Sequence, residues 1–149
     1  MTNNDGVSIG SSTLYLDGIK VGDGGQTTGR LNLSVYPSSD LKFNIALFGA
    51  DNIFSNINAE DFDEPDGGNA QLPAYKLFDF GAGYNFDLFG NNAYLRLNIN
   101  NLFDEEYYPE MENNYLATDD STNYMGINTA NRIFPGGGRT WNVGLTYRF

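Results

Sequence analysis

The sequence predicts an all-β, antiparallel fold, and three observations carry that prediction. Strict alternation of apolar and polar residues runs through five segments, the period of a strand with one apolar face. Helical patterning is nearly absent: Gly makes up 18 of 149 residues, and no window repeats apolar residues at i, i+3, i+4 and i+7 over three turns. The connections between the five segments are short, long, short and long.

Residues 1–29 are the least readable part, with 7–16 expected as a sixth strand and the Gly-rich stretch 17–29 as a loop. Segment 30–36 sets Leu31, Leu33 and Val35 against Arg30, Asn32, Ser34 and Tyr36. Segment 41–50 sets Leu41, Phe43, Ile45 and Leu47 against Lys42, Asn44 and Ala46, and only Phe48 breaks its parity. Segment 77–87 backs an aromatic face (Phe78, Phe80, Tyr84, Phe86) with Asp79, Gly81, Gly83, Asn85 and Asp87. In 94–103, Leu95, Leu97 and Ile99 oppose Tyr94, Arg96, Asn98 and Asn100, and the slip at 101–103 predicts a bulge. Segment 139–149 alternates without fault, with Trp141, Val143, Leu145, Tyr147 and Phe149 on one side and Thr140, Asn142, Gly144, Thr146 and Arg148 on the other. Residues 37–40 and 88–92 carry turn residues, whereas 51–76 and 104–138 are long and rich in Asn, Asp, Glu and Gly.

Composition removes several functions. There is no Cys and no His, so thiol and imidazole chemistry are excluded and no Ser has an evident base. The acids cluster in loops without an apolar pocket to raise a pKa, and the chain is not expected to be an enzyme or to need a cofactor. A net charge of −11 supplies no basic face for nucleic acid or an anionic membrane surface. No run of about 18 apolar residues exists, so a transmembrane helix is excluded, but strands that alternate can still cross a bilayer.

Alternation alone also fits a half-buried strand of a soluble sandwich. Three features favour lipid. The polar face is made of Asn, Gly, Ser, Thr and Arg, which suit a hydrated lumen, while the other face is aliphatic in mid-strand. Aromatic residues stand where two interfacial girdles would lie, with Trp141 at one level and Tyr84, Phe86, Tyr147 and Phe149 at the other. Short turns on one side and long loops on the other match outer-membrane barrels. The expectation is an antiparallel transmembrane β-barrel segment of about five to six strands over 30–149, incomplete on its own because the smallest natural barrels have about eight. Residues 1–6 carry neither a basic nor an apolar leader region, so a chain bound for the outer membrane is expected here as a truncated or incomplete product.

Five short segments taken in order resemble the late barrel of a TonB-dependent outer-membrane receptor, of the Bacteroidota type that carries a carboxypeptidase-regulatory-like domain. They are Asp17-Gly18-Ile19-Lys20-Val21-Gly22-Asp23 with Gln26-Thr27-Thr28, then Leu72-Pro73-Ala74-Tyr75, then 78–84. The most specific is Leu97-Asn98-Ile99-Asn100-Asn101-Leu102-Phe103-Asp104-Glu105-Glu106-Tyr107-Tyr108, followed by the closing 138–149. The resemblance covers about residues 17–149. It implies about twenty-two strands in the whole barrel, with this chain supplying the last quarter or so. It also implies import of a scarce nutrient, an iron chelate or a glycan, across the outer membrane. The partners implied are outer-membrane lipid, the remainder of the barrel and a plug, TonB acting through that plug, the barrel-assembly machinery and a small-molecule substrate. Trp141, Val143, Leu145, Tyr147 and Phe149 resemble the assembly signal, an unpaired edge strand offered for β-augmentation.

The long loops hold thirteen of the 19 acidic residues, which solvated loops explain without a ligand. Asp61, Asp63 and Asp66 form a Ca²⁺ candidate on a flexible turn, though without EF-hand spacing. Tyr107, Tyr108, Tyr115 and Tyr124 are candidate substrate contacts that could stack on a sugar ring or a chelate. Arg30, Lys42, Arg96 and Arg148 are expected to pair with Asp79 and Asp87 or with a plug. Two other architectures fit parts of the pattern: a small autonomous outer-membrane barrel with a structural or adhesion role, and a soluble β-sandwich binding module.

Overall fold

The computed structural model describes residues 13–22, 24–56, 62 and 68–149. Its framework is an antiparallel sheet of five long strands: β1 (Gly25–Val35), β2 (Leu41–Phe54), β4 (Tyr75–Leu88), β5 (Asn91–Asn100) and β10 (Thr140–Tyr147). Their order is β1-β2-β4-β5-β10, so each long strand pairs with its neighbours in sequence. The two-residue β3 (Gln71–Leu72) pairs with the end of β2. Two small ladders lie in the last long connection, β6 (Glu110–Glu112) with β9 (Arg132–Phe134) and β7 (Asn123–Tyr124) with β8 (Ile127–Asn128). The described residues contain no α-helix, and no helix is long and apolar enough to cross a membrane. The sheet does not close: β1 and β10 are its two edges and are not paired with each other.

Several expected boundaries move. β1 begins at Gly25, inside the stretch read as loop, because Thr27 and Thr28 continue the ladder opposite Asp51 and Ala50. The strand expected over 7–16 falls partly outside the described residues, and 13–16 is not strand. β5 ends at Asn100, and at the slip expected as a bulge Asn101 turns left-handed at φ 50° while the Leu102 N–H donates to the Phe78 carbonyl at 2.6 Å, one residue out of the β4–β5 register. At the short connection after β4, Phe89 (φ 56°) and Gly90 (φ 83°) both take the left-handed conformation of a tight hairpin turn.

Register sorts the side chains into two faces, because a period of two keeps each row on one side. One row runs Leu33, Ile45, Phe80, Ile99, Trp141 across all five strands, and the next runs Val35, Phe43, Ala82, Leu97, Val143. On the opposite face Ser34, Asn44, Gly81, Asn98 and Asn142 form a row, with Ser34 donating to Asn44 at 2.8 Å and Asn98 to Asn142 at 3.0 Å. Tyr94 lies over Gly83 on that face and fills the space where a Cβ would stand.

The apolar face is uncovered. Leu31 is 67% exposed, Val143 56% and Trp141 71%. Apart from Ala93 of β5 and Phe62, the buried apolar residues lie instead at the end of the sheet where the long connections meet. Ala50, Ile53, Ala70, Leu72, Tyr108, Met111 and Ile127 form one cluster, with Phe48, Tyr75 and Ile133 against it. Phe48, which breaks the alternation of β2, shares the polar face with Ala50 and Tyr75, and its ring lies 6.1 Å from that of Tyr75. The long connections are therefore folded against one another, beyond the solvated acidic loops that composition suggests.

Candidate functional site

The exposed apolar face is the first functional feature. Trp141, Val143, Leu145 and Tyr147 stand on it in β10, and Phe149 follows fully exposed. Aromatic rings gather at both ends: Phe78 and Phe103 meet edge to face at 5.1 Å near the long connections, and Tyr84 stacks on Phe86 at 5.7 Å near the short turns. From Phe78 to Phe86 the strand covers roughly 27 Å at about 3.4 Å per residue.

The cations expected to pair with acids of the polar face do not do so. Asp79 accepts the Asn101 N–H at 3.0 Å, and Asp87 accepts the Gly90 N–H at 2.9 Å. Arg30 donates to Asn32 at 3.1 Å, and Lys42 lies 5.5 Å from the centre of the Tyr36 ring. Among the described residues the ion pair that forms is Arg132–Glu112 at 3.1 Å, in the last loop. Both carboxylates of β4 are thus consumed in turning the chain, since an orphan N–H at a tight turn needs a close acceptor.

The second feature is the folded cap at the loop end, and Asn101 is its hinge. Its Oδ1 accepts the Glu105 N–H at 2.8 Å, and its Nδ2 donates to the carbonyls of Glu105 at 2.9 Å and Gly137 at 3.2 Å. Asp104, also left-handed at φ 59°, accepts the Arg139 N–H at 2.7 Å. The Asn-Leu-Phe-Asp tetrad therefore ties both stems of the 101–139 connection together where it leaves the sheet.

The four candidate tyrosines do not form one patch. The Tyr107 ring lies tilted against that of Tyr75 with centres 4.5 Å apart and covers Gly136, whose N–H donates to the Tyr107 carbonyl at 2.8 Å. Tyr108 is buried, and its hydroxyl donates to the Glu106 carboxylate; that bond, helped by desolvation, pushes its pKa up to about 12. Tyr115 and Tyr124 are exposed, at 55% and 50%. The Tyr124 hydroxyl also reaches Glu106, at 3.4 Å.

Asparagine joins the two long connections. Asn114 Oδ1 accepts from Ser55 Oγ and from the Ala70 N–H, each at 2.6 Å, and its Nδ2 donates to the Gly68 carbonyl. Asn131 mimics a strand partner for Tyr115, accepting its N–H at 2.9 Å and donating to its carbonyl at 2.8 Å. Between the connections a cleft of about 260 Å³ is lined by Asn69, Gln71, Tyr115, Leu116 and Ile127 among others. A larger hollow of about 560 Å³ at the β1–β2–β4 end carries Asp51, Lys76 and Glu105.

Neither Asn114 nor Asn131 was singled out by the sequence, where Asn in an acidic loop reads as solubility. The Ca²⁺ candidates Asp61, Asp63 and Asp66 lie outside the described residues, and among the described ones no group of three acids is close enough to hold a metal. Compared with known protein families, characterised proteins and solved structures, the chain matches none.

Proposed function

We propose that this chain is the C-terminal barrel portion of a TonB-dependent outer-membrane receptor that imports a scarce nutrient, an iron chelate or a glycan. The observation that carries the reading is a sheet with one continuous apolar face, most exposed on β1 and β10 and half-buried on the three central strands, while its other face is polar. In water such a face is a liability, whereas in a bilayer it is the outer wall of a barrel. The connections support the same reading, with short turns at one end and a folded, acid-rich cap at the other. A sandwich module would bury this face against a second sheet.

In this role the edges of β1 and β10 pair with further barrel strands, because an open edge inside lipid would leave backbone groups unsatisfied. Outer-membrane lipid covers the apolar face, and a plug covers the polar one. TonB acts through that plug, and the barrel-assembly machinery reads Trp141 to Phe149. No catalytic step is assigned.

Detergent dependence and fractionation test the proposal. Together with the remainder of its barrel the chain is expected in the outer-membrane fraction, and alone in water it is expected to aggregate through its apolar face and open edges. A folded monomer in detergent-free buffer would sink the reading.

A further inference from the structure

We propose that the apolar face carries a site for one zwitterionic phospholipid, its phosphate on Lys76 and its ammonium on Asp51. This deepens the barrel reading by naming a lipid partner, and it rests on that reading for the apolar face being the outer wall. The first argument is the placement of charge. Of the charged side chains on the five long strands, register puts Arg30, Lys42, Asp79, Asp87 and Arg96 on the polar face. Lys76 and Asp51 alone stand on the apolar face, both at the end where the long connections leave it. Lys76 lies in the first row beyond Leu31, Leu47 and Phe78, and Asp51 lies one row, roughly 7 Å, further out. Among the described residues the Lys76 ammonium has no ion pair or hydrogen bond, and Asp51 uses one oxygen to accept the Asn52 N–H at 2.6 Å. Apolar rows, then a cation, then an anion complement phosphatidylethanolamine, whose phosphate sits next to the chains and whose ammonium lies beyond it. An anionic lipid would meet Asp51 with nothing to offset it, in a chain of net charge −11.

The second argument is shape. Gly29 and Gly49 are register partners, so two neighbouring strands lack a side chain at the same level of the apolar face. A Cβ at Gly29 would meet nothing within 4 Å, and one at Gly49 would meet Lys76 Cγ at 3.9 Å. The gap is a hollow of about 330 Å³ between Leu31, Leu47 and Lys76. That volume falls within the range of small-molecule sites, roughly 300–1,000 Å³. The Lys76 stem forms one wall while the residue stays exposed, the posture of a lysine that lays its methylenes on apolar surface and keeps its charge in water. Asp51 and Lys76 both line the adjoining hollow of about 560 Å³, which shares Gly29 and Gly49 with the first. The glycine notch thus receives the glycerol end of one acyl chain directly below the cation, and the headgroup continues outward towards Asp51.

The test is native mass spectrometry of the full chain held in a nonionic detergent, with phosphatidylethanolamine, phosphatidylglycerol and diacylglycerol of matched chains added singly. Wild type is expected to retain one phosphatidylethanolamine at least fivefold more tightly than either of the others. Lys76→Met keeps the apolar stem and removes the charge, and should weaken that retention at least fivefold. Gly49→Leu fills the notch and should do the same. Asp51→Asn keeps an acceptor for the Asn52 N–H and should bring phosphatidylethanolamine and phosphatidylglycerol within twofold of each other. Lys42→Met removes a cation of the polar face and should change nothing. Unchanged circular dichroism verifies the fold of each variant. Wild type that retains no phosphatidylethanolamine, or retains phosphatidylglycerol equally well, overturns the inference, as does a loss in Lys76→Met no larger than in Lys42→Met. The two readings fail separately. An outer-membrane barrel without this preference loses the site and keeps its outer wall, whereas a chain that is a folded monomer without detergent and still retains the lipid keeps the site and loses the barrel.

Discussion

Replacing Asn101 with Ala should open the base of the last long connection. Three side-chain hydrogen bonds are lost, to the Glu105 N–H and to the carbonyls of Glu105 and Gly137. Each is worth about 1 kcal/mol net. Ala must also hold φ near 50°, which costs about another 1 kcal/mol outside Asn, Asp or Gly. Glu105 and Gly137 are exposed and regain water, so the sum falls to about 2–3 kcal/mol. That corresponds to an increase of roughly 30- to 150-fold in the population of the opened base. Hydrogen exchange in detergent reads it directly at the amides of Asn101 and Glu105, which the closed base protects. Asn101→Gly loses the same bonds but relieves the backbone, and should exchange several-fold more slowly than Asn101→Ala. Asn100→Ala, whose exposed side chain makes one bond to Thr140 at 3.1 Å, is the control and should change little. Exchange in Asn101→Ala within threefold of wild type, or faster exchange in the Gly variant than in the Ala variant, refutes the hinge.

Other perturbations separate the remaining contributions. Asn114→Ala removes the bonds to Ser55, Ala70 and Gly68 and should lower cap stability by about 2–4 kcal/mol, visible as faster hydrogen exchange at the amides of Ser55 and Ala70. Met111→Ala, at a fully buried position, should cost about 2–5 kcal/mol in thermal unfolding of the cap. Tyr108 has its folded pKa raised above the ordinary phenol value, so its contribution is fully present below pH 10 and is lost as pH rises through about 12. Phenolate absorbance should show a step near pH 12 that Tyr108→Phe deletes and Glu106→Gln moves downward. Val143→Arg places a charge in the middle of the apolar face; it should cost about 2–4 kcal/mol in a bilayer, and an insertion assay showing no loss would count against lipid contact.

The sheet was legible because a period of two survives in a sequence read without context. Leu41 is the first residue of β2 as expected, and the expected segment 77–87 sits inside Tyr75–Leu88. Where the alternation gives out, the reading failed in instructive ways. Thr27 and Thr28 lie among glycines and read as loop, yet they pair with Ala50 and Asp51 because β2 runs on past its predicted end. The slip at Asn101 was a real signal: there the register to β4 shifts by one residue, and the regular strand ends at the same point. Phe48 was the sharpest missed clue. An aromatic residue on the polar face needs cover, and that cover is the cap, built from residues far apart in sequence such as Ile53, Met111 and Ile127. Clamps such as Asn114 leave no trace in local pattern, because their partners are set by the packing of two loops.

The two ends of the molecule hold themselves together by different means, and this determines how damage should spread. On the edge strands β1 and β10, each paired on one side only, Leu31, Leu33, Val143 and Leu145 remain more than half exposed. Ladder bonds contribute little net once water is the alternative partner, so the sheet lacks the burial of roughly 25 cal/mol per Å² that normally stabilises one. That term must be supplied from outside, by whatever covers the apolar face. The cap needs no such supply: Ile53, Leu72 and Met111 are already buried within it. Lesions on the apolar face and lesions in the cap should therefore be additive, as for distant sites with no shared partner. Combining Val143→Arg with Asn114→Ala should give the sum of the single effects within about 0.5 kcal/mol, whereas strong coupling would mean that the cap is ordered only by the covered sheet beneath it.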